Sequence, residues 1–99
     1  MNALDALGNP TRRQLLELLQ YEPRSVARLA EAVPSISRPA ISRHLRVLRE
    51  ANLVTAQAVG TANIYAVRPD GFEHVRAYLE RFWDDALPRF AMVAESLDS

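Results

Sequence analysis

The sequence predicts a mainly α-helical chain with one small β-hairpin, in the order α-α-α-α-β-β-α. Three observations predict it. Apolar residues recur at helical spacing in several stretches, two runs rich in β-branched and aromatic residues flank Gly60, and closely spaced breakers divide the chain. The breakers are Gly8-Asn9-Pro10, Pro23, Pro34, Gly60 and Pro69-Asp70-Gly71. A length of 99 residues suits one domain over 1–99 and leaves no room for a second.

Each element has a local reason. Leu4 and Leu7 suggest a short N-terminal helix. The next helix spans 10–20: Asn9 suits the N-cap, Pro10 the first helical position, and Leu15, Leu18 and Leu19 repeat at helical spacing. A third covers 25–32, with Ser25 as cap and Val26, Leu29 and Ala30 as its apolar side, and it ends before Pro34. The fourth, 37–51, is the informative one. Ser37 caps it, Pro39 falls in the first turn where proline is tolerated, and Ile41, Leu45 and Leu48 share one face. The opposite face is Pro39, Ser42, Arg43 and Arg46, flanked by Arg38 and Arg49, with no acid until Glu50. Asn52 suits a left-handed helix stop. Strands are expected over 54–59 and 64–67, with 60–63 as the hairpin tip. From 70 to 97 the pattern is helical again. Val75, Leu79, Phe82, Trp83, Ala86, Phe90, Val93 and Leu97 form a long apolar stripe, which Pro88 is expected to kink or split. That stripe exceeds what a small core needs, so 70–99 is read as a dimerisation helix.

Net charge is zero, but it is unevenly spread. Residues 24–49 hold six arginines against Glu31 alone, whereas residues 70–99 hold seven acids against three arginines. A basic stretch on a neutral chain is a binding-face signal. Two short helices, the second fronted by Arg and Ser and followed at once by a hairpin, describe a winged helix-turn-helix. A helix fits the major groove of DNA, Arg reaches guanine bidentately, Ser serves either base, and the ring of Pro39 can touch a thymine methyl.

The residues also resemble a known family. Asn9-Pro10-Thr11-Arg12-Arg13-Gln14-Leu15-Leu16-Glu17-Leu18-Leu19 is similar to the opening signature of the ArsR/SmtB (arsenic-repressor-like) transcription regulators. The segment from Ser37-Arg38-Pro39-Ala40-Ile41-Ser42-Arg43-His44 through Leu53-Val54 looks like their recognition helix and the entry to its wing. The resemblance covers nearly the whole chain. It implies a homodimeric bacterial regulator, usually a repressor, whose first and last helices pair across the dimer axis. It carries base contacts over to Arg38, Pro39, Ser42 and Arg43. The DNA-binding set is then Ser37, Arg38, Pro39, Ser42, Arg43, His44, Arg46 and Arg49. The dimer set is Leu4, Leu7, Val75, Leu79, Phe82, Trp83 and Phe90.

The departures from the family point away from metal. The 25–32 helix lacks the cysteines of its arsenic and cadmium sensors, and the chain has no Cys at all. The last helix offers only His74, one turn after Asp70, where zinc sensors carry several ligands. The tip 60–63 is uncharged where the family's wing is often basic, and Asn52 replaces a common Gly. No metal and no cofactor are expected. The partners are double-stranded DNA bearing an inverted-repeat operator and a second copy of the chain. The small-molecule effector, if one exists, is not specified.

Other chemistries fare poorly. His44 lies about 60–70° from the Ile41–Leu45–Leu48 face by the ~100° rotation per residue, so it is a packing residue or phosphate contact rather than a base reader. Ser42 and His44 face opposite ways and form no dyad. His74 reads as a surface or dimer contact, Asp84-Asp85 as a solvated pair, and Phe82-Trp83 as core or dimer packing. No nucleophile–base pair, phosphate loop or cofactor motif is present, so an enzyme is not expected. No apolar run reaches a membrane span and no signal peptide is seen, which makes a cytoplasmic protein the expectation. The alternative function is a winged helix used only for protein–protein contact. The arginine front argues against it, because interface cores are depleted in charge.

Overall fold

A computed structural model describes residues 2–98. Its elements are α1 (Ala3–Leu7), α2 (Pro10–Leu19), β1 (Arg24–Ser25), α3 (Val26–Ala32), α4 (Arg38–Glu50), β2 (Val54–Val59), β3 (Ala62–Val67), a 3-10 turn (Pro69–Phe72) and α5 (Glu73–Asp98). Four N-caps follow one logic: a short polar side chain accepts a bond from an orphan amide of the first turn. Asn2 accepts from the Asp5 amide, Asn9 from Arg12, Ser25 from Arg28 and Ser37 from Ala40.

The core gathers where α1, α2, α3 and α4 meet the base of the sheet. Leu15, Leu29, Ile41, Leu45, Leu48, Leu53 and Val54 are fully buried there. α4 contributes three of these, so its orientation is fixed by its back. Its C-terminus closes as a Schellman motif. Asn52 takes φ 62°, its amide donates to the Arg49 carbonyl, and the Leu53 amide donates to the Leu48 carbonyl at 2.9 Å. The buried pair Leu48 and Leu53 seals that turn.

The hairpin differs from expectation in two ways. First, the sheet has three strands, in the order β1-β3-β2 and antiparallel throughout. The extra strand is two residues long, Arg24 pairing with Tyr65 and Ser25 with Ile64. Second, β3 begins at Ala62 rather than Ile64, and Val59 pairs with Ala62. The tip therefore shrinks to Gly60-Thr61, with Gly60 at φ 61° in the first central position of a two-residue turn.

The last segment also differs. Residues 69–72 form a 3-10 turn, and α5 then runs without a break through Pro88. Proline removes one amide donor, but the surrounding turns are exposed, so water can satisfy the freed carbonyl. The expected split does not occur. The root of α5 is pressed onto the α4–β2 corner: the Arg68 amide donates to the Leu53 carbonyl at 2.9 Å, and a Cβ at Gly71 would lie 1.7 Å from the Asn52 carbonyl oxygen. Only glycine permits that approach. Beyond this root, α5 leaves the body, and the described residues extend over 65 × 27 × 24 Å.

Candidate nucleic-acid interface

The front of α4 carries the site. Ser37, Arg38, Pro39, Ser42, Arg43, Arg46 and Arg49 are all exposed, while Ile41, Leu45 and Leu48 on the back are fully buried. The basic block 24–49 divides on inspection. Arg24 lies 3.7 Å from Glu22 and Arg28 3.7 Å from Glu31, so the charge of both is answered locally. Arg38, Arg43, Arg46 and Arg49 have no ion pair among the described residues. The positive surplus is thus concentrated on one exposed helix face about as wide as a major groove accepts. The tip of the wing is the uncharged turn Gly60-Thr61, next to the exposed Val59.

His44 is half-buried on the flank of α4, between the arginine front and the apolar back. Its Nδ1 stands 3.5 Å from Nη1 of Arg12. Burial, the Arg12 charge and the Arg43 charge, in that order, hold its pKa below the usual histidine value of 6.5. Arg12 also donates from Nε to the Ala6 carbonyl at 2.7 Å, linking α1 to α4 through α2. Nothing in the local sequence pattern marks Arg12 for this place, because α2 and α4 are far apart in sequence.

The dimer candidates separate into two groups. Leu7 packs against the core, and Val75 is buried at 9% exposure, so both are already used within their own chain. Leu4, Leu79, Phe82, Trp83 and Phe90 are exposed, Trp83 at 69% and Phe90 at 71%. A groove of about 440 Å³ lined by Phe72, Val75, Leu79 and Trp83 runs along the same face. His74 lies at an exposed position beside Glu50 and Asp70, but Asp70 is engaged by Arg68 at 2.9 Å.

This arrangement recurs in known proteins. A family model described as a helix-turn-helix domain matches residues 7–57. The HTH-type transcriptional regulator Rv2034 of Mycobacterium tuberculosis is 42% identical over 94 residues, covering 95% of this chain and 87% of the relative. The chain belongs to the ArsR/SmtB-type winged helix-turn-helix regulators. Transcriptional repressor SdpR of Bacillus subtilis is 33% identical over 66 residues, 67% of this chain and 72% of that protein. A solved structure described as a "Possible transcriptional regulator for arsenical resistance" superposes with a TM-score of 0.78 at 41% identity, covering 93% of this chain and 95% of the other. This ArsR-type chain is accordingly a DNA-binding transcriptional regulator and not an enzyme. Regulators of this family typically act as dimers. No helix among the described residues is long and apolar enough to cross a membrane.

Proposed function

We propose that the protein is a repressor that binds an inverted-repeat operator as a homodimer. It is read as one winged helix-turn-helix domain over 1–99, with 70–99 as the dimerisation segment, acting in the cytoplasm. One observation carries the DNA reading: four arginines share one exposed helix face and make no ion pair among the described residues. Arg38, Pro39, Ser42 and Arg43 read base edges, Ser37 starts the helix at the groove, and Arg46, Arg49 and His44 meet backbone phosphates. The exposed stripe of α5, with Leu4 of α1, supports pairing with a second copy, and Leu7 and Val75 anchor those helices from beneath. A two-fold dimer would set its two α4 helices about 10 bp apart, one turn of DNA. The repressor role follows the family's usual behaviour and the relative SdpR. Control without metal is supported by the lack of cysteine and by the engagement of Asp70 with Arg68.

The test is a gel-shift titration with the DNA upstream of the protein's own reading frame against a scrambled duplex, combined with sedimentation. A dimer that prefers the upstream DNA is expected. A monomer at micromolar concentration, or equal affinity for both duplexes, would overturn the reading.

A further inference from the structure

Arg12 lies on α2, outside the recognition helix, yet it reaches that helix. Its guanidinium is part-buried between α1 and α4, with Nε on the Ala6 carbonyl at 2.7 Å and Nη1 facing His44 Nδ1 at 3.5 Å. A guanidinium is always charged and can only donate. The nitrogen it faces must therefore present a lone pair. In a neutral imidazole that puts the proton on Nε2. Arg43, on α4 itself, adds a second positive charge near the ring and also disfavours imidazolium.

The flank of α4 gives this tautomer a use. A helix with its side chains is ~10–12 Å across and the major groove is ~12 Å wide, so the flanks of an inserted helix meet the sugar-phosphate walls. His44 occupies such a flank, half-exposed. We propose that Arg12 is a positioning residue for DNA binding: it fixes His44 as the Nε2–H tautomer, so that the imidazole serves as a neutral, preset hydrogen-bond donor to a backbone phosphate. The inference rests on the DNA-binding reading above and adds to it a residue outside the recognition helix. Because the donor is uncharged, its contact releases no counterion of its own. It strengthens binding to any sequence without steepening the salt dependence, unlike an arginine contact.

Two measurements test this. The first needs no DNA. Long-range ¹H–¹⁵N spectra of histidine-labelled protein, with H74Q used for assignment, read the tautomer of His44 directly. The expected result is a bare Nδ1 and a protonated Nε2, becoming a tautomer mixture in R12Q. A protonated Nδ1 in the wild type would overturn the proposal. The second is affinity for the upstream duplex and a scrambled duplex at several salt concentrations. H44N keeps an acceptor near the Nδ1 position and loses the outer donor, whereas H44Q places an amide near Nε2 and no longer needs Arg12. R12Q and H44N should each weaken both duplexes by about tenfold, the scale of a hydrogen bond to a charged group. The salt slope should not change, and the double variant should lose no more than either single. In the H44Q background, R12Q should cost little. Additive losses, or a reduced salt slope in H44N, would overturn the proposal while leaving the DNA reading intact. A wild type that binds neither duplex would end both, and the spectra would still report the tautomer.

Discussion

α4 and α5 are both amphipathic helices, but they resolve the same pattern differently. The apolar back of α4 is fully covered by its own chain, at Ile41, Leu45 and Leu48. The apolar stripe of α5 is covered only at its root, by Val75, and then runs uncovered through Leu79, Phe82, Trp83, Phe90, Val93 and Leu97. Amphipathicity therefore says that a helix face wants cover and does not say where the cover comes from. For α4 the short connection from α3 folds that helix against it, and α1 and α2 pack on it as well. For α5 the stripe beyond its root stays exposed among the described residues, and a large contiguous apolar surface is the mark of an interaction site.

The largest expected effects sharpen this contrast. Leu45→Ala or Leu48→Ala should cost ~2–5 kcal/mol of folding stability, the price of a cavity in a tight core. Phe82→Glu should leave protomer stability within ~0.5 kcal/mol, as for an exposed position, yet dissociate the dimer by placing an unpaired charge in its interface. Denaturant melts and sedimentation of the two sets measure this. If Phe82→Glu unfolds the protomer, or Leu45→Ala leaves it unperturbed, the division between own-chain core and partner face is wrong.

Next come the two ends of the arginine face. Truncating Arg38 or Arg43 should cost ~1–3 kcal/mol of operator affinity and relax preference at one symmetric pair of positions. Truncating Arg46 or Arg49 should weaken all sequences alike and lower the salt slope by about one unit for each phosphate no longer neutralised. Binding titrations against single-base operator variants separate the two groups. Should changes at Thr61 or Asn63 destroy discrimination while the Arg38 and Arg43 variants keep it, the wing reads the sequence instead.

A smaller effect concerns pH. His44 is held below its usual 6.5 in the folded chain, so the folded state favours the neutral ring. Its stabilising contribution is then present above pH 6.5 and is lost progressively as the pH falls from 6.5 towards the lowered folded value, because the unfolded chain takes up a proton first. Melts over that range should lose stability on acidification, with a shallower dependence in H44Q. The smallest expected effect is none: stoichiometric zinc should not change operator affinity, and a nanomolar zinc site that releases DNA would make His74 and its acidic neighbours metal ligands instead.

Much of this fold is legible residue by residue because its signals are local. Asn9, Ser25 and Ser37 announce three helix starts, and Asn52 announces the left-handed stop between α4 and β2. The front of α4 follows from rotation about its axis alone. Features made by distant pairings are not legible in this way. β1 is two residues with no strand pattern, and exists only because β3 passes beside it. β3 starts early because Ala62 finds Val59 across a turn shorter than the composition suggests. Pro88 reads as a breaker, but an exposed helix tolerates the missing bond. In the candidate site, the pairing of Arg24 with Glu22 and Arg28 with Glu31 narrows the basic block to α4, and the approach of Arg12 to His44 spans 32 positions. No window of sequence holds both ends of such a pair.

The corner at Gly71 has a geometric corollary. The backbone there presses so closely on Asn52 that the foot of α5 and the tail of α4 have no room to slide past each other, and the Arg68–Leu53 hydrogen bond pins the junction a second time. These two ties at one corner set the angle between the two helices, like the arms of a set square. In a dimer assembled along α5, the angle between the arms is already given, so the distance between the two reading heads is a property of how one α5 registers against the other. The operator's half-site spacing would then be gauged by aromatic residues far from any base. A shift of one helical turn in that register, ~5.4 Å, would move the heads along the duplex by more than a base-pair step.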